Sequence, residues 1–352
     1  MTDAKPLLQQ KRRLHHALRQ LAEAPPHAVK NILAEFAAEN AEWRVSHPVN
    51  HNSGLAAVAD NAWIPLRNAL PDMERRDLIF VGGEYRNQTL IAALGHYCGT
   101  FQNDWLGIRA SRKLVYLRYG EVYELDAAGR VARASCLWDI LDLVRQCGRW
   151  PLGPARASET PWPAPLSGDG LVFRESDAAE SRASLARVLA MHDQLGAHDD
   201  LDGSGRAGLL EMGRRCTWHP RFMWHGPAGI GTTRGLEGFV DGHQLPWRLA
   251  FPNRKGGAQW DALPEERERY GGGHYIRIGD GHYAVTGGWP SVIARHLGDG
   301  FMGLPASGAE VTFRVMDFYM MDGDLIRQNW VPIDFLDFLR QVAPEKLDEI
   351  FN

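Results

Sequence analysis

Residues 105–126, WLGIRASRKLVYLRYGEVYELD, align without a gap on residues 301–322, FMGLPASGAEVTFRVMDFYMMD. The alignment sets Gly107 on Gly303, Ser111 on Ser307, Arg118 on Arg314, Tyr123 on Tyr319 and Asp126 on Asp322, and it puts Glu121 opposite Asp317. Past a hairpin tip that differs by one residue, DILDLVRQ from Asp139 falls on DFLDFLRQ from Asp334. Strand, turn, strand and helix thus recur in one order about 196 residues apart, which is the mark of an internal duplication. Length agrees, because 352 residues exceed one typical core and suit two domains of roughly 150 each.

Between the copies, GRWPLGPARASETPWPAPLSGDG (148–170) has the proline, glycine and serine content of an extended linker. The expected organisation is a first domain over 8–150, a linker over 151–178 and a second domain over 179–352. Each copy places helical patterns such as AVKNILAEFAAEN (28–40) before alternating runs such as HYIRIGDGHYAVTGGWP (274–290). That order predicts α+β architecture, a curved antiparallel sheet wrapped around helices, and a curled sheet of this kind has a concave interior.

Composition narrows the partners. With 44% hydrophobic and 23% charged residues the chain is an ordinary globular one. A net charge of −4 gives no electrostatic reason to bind nucleic acid or an anionic membrane, so a small-molecule partner is expected. Cys98, Cys136, Cys147 and Cys216 are too scattered for a metal ribbon or redox pair and read as reduced, buried thiols. The N-terminal stretch is basic without an apolar core, and no run approaches eighteen apolar residues, so the expected location is cytoplasmic.

Strand alternation picks out the candidate chemistry. Val311, Phe313, Val315, Asp317 and Tyr319 share one face, and Val115, Leu117, Tyr119, Glu121 and Tyr123 share the equivalent one. Each face carries a single carboxylate among apolar and aromatic side chains. Facing a cavity, such a carboxyl is pushed up toward the range of general acid/base work, whereas pairing with an arginine or capping a backbone group makes it structural. His219, His225 and His243 are candidates for a second acid or base. Their spacing lacks the short pairs of a zinc site, so no metal is expected.

Two glycine-bearing segments need separate treatment. Asp200 to Glu211, DLDGSGRAGLLE, matches a calcium loop at positions one, three, five, six and twelve, but Ala207 stands where a branched aliphatic belongs and no second loop accompanies it. A turn between helices is expected there. GPAGIGTTRG (226–235) lacks the lysine and spacing of a phosphate loop, so it is read as a tight turn entering a helix, with amides able to meet a carboxylate or enolate oxygen. Trp218, Trp224, Trp247, Trp289 and Trp330 supply core or pocket walls.

Trp224-His225 before GPAGIG, HQLPW from His243 before AFPNR, GGWPS (287–291), RVMDFY (314–319) and DGDLIRQNWVPID (322–334) together resemble the SnoaL-like polyketide cyclases of the nuclear transport factor 2-like superfamily. The resemblance is strong over 205–345 and diffuse over 28–150. It implies two tandem cone-shaped domains and an aspartate general acid/base on the last strand, working without metal or organic cofactor on an enolate. This chain departs from that pattern, since Val331 follows Trp330 and its first-copy counterpart is Cys136. Asp317 is therefore the expected acid/base, assisted by His243 or Tyr319, with Trp224, His225, Trp289, Trp330 and Arg314 around the substrate. Asp334 and Asp139 are expected to cap the final helices.

The expected activity is that of a cofactor-independent cyclase, lyase or isomerase acting on a small, carbonyl-containing, cyclic metabolite. The alternatives are a non-catalytic small-ligand carrier and a protein-interaction scaffold, with an intrachain pseudo-dimer and room for a homodimer. The first copy has HPVNHNSGLAAVAD and GHYCGTF in place of GPAGIG and GGWPS. It reads as a structural partner in which His47, His51, His96 and Glu121 leave room for a different pocket.

Overall fold

The computed structural model describes residues 4–215, 217–252, 254–256, 264–270 and 273–351, so Cys216 and Asn253 of the AFPNR motif lie outside it. The chain divides into two compact units. The first comprises Met1–Trp150, Pro163–Ser176 and Asp348–Asn352, and the second Pro151–Trp162 and Asp177–Leu347. The proline-rich segment is thus shared out. The Trp162 indole donates to the Gly226 carbonyl at 3.1 Å in the second unit, and Phe80 exchanges backbone hydrogen bonds with Gly170 and Val172 in the first. No helix among the described residues is long and apolar enough to cross a membrane.

In the first unit α1 (Ala4–Glu23) and α2 (Val29–Phe36) precede β1 (Ala37–Val45) and β2 (His51–Ser53). Next come α3 (Leu55–Val58), a π-helical turn (Ala59–Trp63) and α4 (Ile64–Ala69), then β3 (Glu74–Tyr85), β4 (Gln88–Thr100), β5 (Leu114–Leu125), β6 (Val131–Trp138) and α5 (Ile140–Gln146). The sheet order is β2-β1-β6-β5-β4-β3.

The second unit repeats the plan. It runs α6 (Ala178–Gly196), α7 (Gly205–Arg215), β7 (Trp218–His225), β8 (Thr232–Arg234), α8 (Gly235–Phe239), a π-helical turn (Val240–Gln244) and α9 (Leu245–Ala250). There follow β9 (Lys255–Gly256), α10 (Pro264–Tyr270), β10 (Ile276–Asp280), β11 (Tyr283–Arg295), β12 (Glu310–Asp322), β13 (Leu325–Trp330) and α11 (Phe335–Val342). Its sheet order is β10-β11-β12-β13-β7-β8, with β9 on β11.

Neither sheet is purely antiparallel, as the sequence had suggested. β1 pairs parallel with β6, and β7 with β13, while the hairpin-linked strands run antiparallel. The helices after β2 and β8 separate the first strand of each unit from β6 or β13, so no hairpin fixes the direction of that pairing. Register breaks at Asp77/Ile79 in β3 and Gly288/Val292 in β11 interrupt the ladders, which is how a sheet gains the bend that makes a concave face.

The duplication extends to backbone angles. Leu106 and Met302 hold φ of 53° and 54°, and Gly107 and Gly303 hold 78° and 79°. Asp139 and Asp334 each cap a helix by accepting from the amide three residues on, at 3.0 and 3.1 Å, and the Arg118 and Arg314 guanidiniums pair with them at 2.7 and 2.8 Å. Of the cysteines, Cys98 and Cys136 are buried, Cys147 half-buried, and all three are free thiols pushed up by burial.

Candidate functional site

The sheet of the second unit curves around a cavity of about 400 Å³. Strand parity decides which side chains reach it. Val315, Asp317 and Tyr319 line it from β12, Asn329 from β13 and Trp224 from β7, while His192 enters from α6 and His243 from the π-helical turn. Their strand neighbours face away. Arg314 is engaged by Asp334 at 2.8 Å and Asp337 at 3.4 Å with its guanidinium 4.8 Å over the Trp289 ring, and Trp330 stacks on His225 at 5.1 Å. Of the residues expected around a substrate, only Trp224 lines the cavity. Arg314, Trp289, Trp330 and His225 do not, because alternation puts 314 opposite 317, 330 opposite 329 and 225 opposite 224.

Asp317 is half-buried, touches the Tyr319 hydroxyl and the Asn329 amide, and forms no ion pair among the described residues. Burial, only partly offset by those two hydrogen bonds, pushes its carboxyl up to about 7. The first unit realises the other reading of the same position. Register equates the two carboxylates, since Glu121 pairs across to Cys136 and Asp317 lies one residue before the Phe318–Trp330 pair, opposite Val331.

Glu121 accepts from Arg75 at 2.8 Å, Tyr97 at 2.6 Å, Tyr123 at 2.6 Å and the Trp138 indole at 2.9 Å. Arg75 also holds Asp77 at 2.9 Å, and Asp77 accepts from Tyr119 at 2.7 Å and faces His15 at 3.2 Å. Tyr119 and Trp138, a cross-strand pair, occupy the places of Val315 and Ile333. A buried arginine and larger aromatics therefore occupy the interior. His47, His51 and His96 stand outside this network: His51 is exposed, the His47 ring lies by Asn50, and His96 points away from its neighbour Tyr97 to pack on Tyr116.

Burial depresses three of the cavity histidines, His243, His192 and His274, and so favours their neutral form. His243 stacks on Trp224 at 4.1 Å and 13°, and burial, helped by Arg254 and Arg248, takes it to about 3. His192 lies 2.8 Å from the Tyr319 hydroxyl and falls to about 4 through burial and Arg277. His274, 3.2 Å from Ser291, is likewise depressed by burial. His192 Nδ1, His243 Nδ1 and His274 Nε2 are buried without a hydrogen-bond partner. Hence His243 offers a neutral ring rather than a cationic acid. His219 lies outside, 3.7 Å from Asp322.

In both glycine-bearing segments internal groups occupy positions that an ion would need. Both Asp200 oxygens are held by arginines, one by Arg248 and the other by Arg254 at 2.7 Å, and no metal-binding cluster occurs among the described residues. The Gly229 amide donates at 2.7 Å to Glu159, so an internal carboxylate takes the place an outside anion would occupy. Residues missed by sequence reading are His192, Arg75 and Asp77, which lie outside the aligned segment. A second repeat was available to read: DNAWIPLRNAL (60–70) matches DGHQLPWRLAF (241–251) and sets Ala62 opposite His243.

No family model matches the chain, and no curated protein does. Solved structures that it is similar to include SnoaL-like and nuclear transport factor 2-like proteins. A candidate SnoaL-like polyketide cyclase from Jannaschia sp. CCS1 is 15% identical over 48% of this chain and 98% of its own, with a TM-score of 0.36. TsrD from Streptomyces laurentii is 20% identical over 48% and 98%, TM-score 0.31. A nuclear transport factor 2-like protein from Burkholderia xenovorans LB400 is 13% identical over 46% and 98%, TM-score 0.31. Each spans about half of this chain.

Proposed function

We propose that the second unit is a cofactor-independent acid/base catalyst, a cyclase, isomerase or lyase, acting on a small carbonyl-containing, cyclic metabolite. The observation that carries this reading is Asp317: a carboxyl with no ion pair among the described residues, in a cavity walled in part by Trp224, Val315 and Ile333 and held near 7, exchanges a proton in either direction at neutral pH. Ionised, it removes a proton from carbon next to a carbonyl; protonated, it returns one. The neutral His243 assists by hydrogen bonding to the oxygen on which charge develops, and Tyr319 assists through its contact with the Asp317 carboxyl. Trp224, stacked on His243, gives a flat wall for a ring.

For the first unit, the Arg75 network favours a structural role. The free thiols support a cytoplasmic setting. The test is exchange of the α-protons of cyclic ketones with D2O, followed by mass spectrometry. Wild type is expected to accelerate the exchange of at least one probe and Asp317→Asn to lose at least 100-fold, about the contribution of a general base. Equal exchange by the two proteins overturns the reading.

A further inference from the structure

The geometry points to His192 as a second proton port of this cavity, connected to Asp317 through Tyr319 and built to receive a hydroxyl, enol or phenol of the ligand. The inference rests on Asp317 being the acid/base group. His192 Nε2 lies 2.8 Å from the Tyr319 hydroxyl, and that hydroxyl reaches the Asp317 carboxyl. The other ring nitrogen, Nδ1, is buried and without a partner, and the ring lines the cavity. A buried nitrogen with no partner is costly unless a ligand supplies one.

Hydrogen-bond direction then fixes what Nδ1 presents. With Asp317 ionised, the Tyr319 hydroxyl donates to the carboxylate, so its oxygen accepts from His192 Nε2–H, and Nδ1 is left as a bare lone pair. A lone pair accepts from O–H and repels a carbonyl oxygen, which selects a hydroxylated ligand. With Asp317 protonated the chain reverses: Asp317 donates to Tyr319, Tyr319 to Nε2, and the proton of the ring sits on Nδ1.

One state becomes the other when the ligand O–H proton moves to Nδ1, the Nε2 proton to the Tyr319 oxygen and the Tyr319 proton to Asp317. Three bonds to hydrogen form and three break. The ligand is left as an oxyanion, Asp317 holds a proton, and His192 and Tyr319 end neutral. The other groups facing the ring are His274, 5.4 Å away between centroids, and Arg277. Both oppose a cationic His192, which leaves a change of tautomer as the ring's response to Asp317.

The test is a pH scan of the full chain labelled with ¹⁵N in histidine and ¹³C in the aspartate carboxyl. The expected result is that the two His192 nitrogens exchange protonated and bare shifts at the same pH at which the Asp317 carboxyl turns over, with no cationic signal. Tyr319→Phe is expected to leave the Asp317 turnover and abolish the His192 response. If Asp317 titrates near 7 while His192 is unmoved, the port is overturned and the acid/base reading stands. A carboxyl that never titrates near neutral pH removes the acid/base reading, and a His192 switch at any other pH removes the port. Should Tyr319→Phe fail to fold, the wild-type scan decides alone.

Discussion

Arg75 donates to Glu121 at 2.8 Å inside the first unit, whereas Asp317, the counterpart of Glu121, has no ion pair among the described residues. One position of a duplicated sheet thus carries a neutralised carboxylate in one copy and a desolvated one in the other. The first contributes to the core, and the second is the group on which the proposed acid/base role rests.

Breaking the Arg75 network is expected to cost the chain heavily. Arg75→Met leaves Glu121 and Asp77 buried without their cation, a loss of about 3–5 kcal/mol. Adding Glu121→Gln to Arg75→Met should recover part of it. Urea unfolding of Arg75→Met, Glu121→Gln and the double variant measures the coupling, and simple additivity would count against the network. Asp77, held down to about 2 chiefly by Arg75 against the opposing effect of burial, contributes stability above its ordinary range that is lost as pH falls through about 2.

Asp317 predicts the opposite slope. Its folded carboxyl lies near 7 rather than 3.8, so between those values the folded chain keeps a proton that the unfolded chain releases. Stability should fall as pH rises through this window, by up to about 1.4 kcal/mol per pH unit, and level off above it. In Asp317→Asn the decline should flatten. Denaturation midpoints at pH 5 and pH 8 read it directly, and parallel slopes for the two proteins would contradict the shift.

Strand parity predicts which tryptophan matters for ligand. Trp224→Phe removes an indole that stacks on His243 and lines the cavity, so binding of a bicyclic aromatic ketone such as 1-tetralone should weaken several-fold. Trp330→Phe alters the opposite side, where the indole meets His225, and should leave that affinity unchanged. Tetralone titrations by calorimetry compare them, and equal losses would contradict the assignment of faces.

Calcium should have no effect. The Asp200 oxygens are engaged by Arg248 and Arg254, so millimolar Ca²⁺ is expected to leave Tm unchanged, while Asp200→Ala, which unpairs two largely buried arginines, should lower it by several degrees. A calcium-dependent rise in Tm would mean that the segment opens to bind the ion.

Much of the fold was legible because it was written twice. The aligned strands, their hairpins and the capping pair Asp139 and Asp334 could be read from the duplicated segment, and alternation alone placed Val315, Asp317 and Tyr319 on one face. The same rule, applied to Arg314, His225 and Trp330, would have put them on the other face. Residue type had drawn them toward the substrate. His192 and Arg75 were illegible for a different reason: a helix and an edge strand bring them in from outside the aligned segment, and contacts between distant elements leave no mark in local periodicity. Glu121 and Asp317 look alike in sequence because the ion pair that separates them is supplied by Arg75, 46 residues upstream.

The π-helical turns at Ala59–Trp63 and Val240–Gln244 stand at matched places, each running into a helix whose second residue is proline, Pro65 or Pro246. A π turn holds one residue more than an α-helix needs, and such an insertion is costly to keep without use. Its recurrence at the same place in both halves makes the widened helix part of the plan the two units share rather than a device of the cavity-bearing one. The half that ends this turn in Trp63 keeps the widened helix although the indole there is buried against Tyr97 and Trp138.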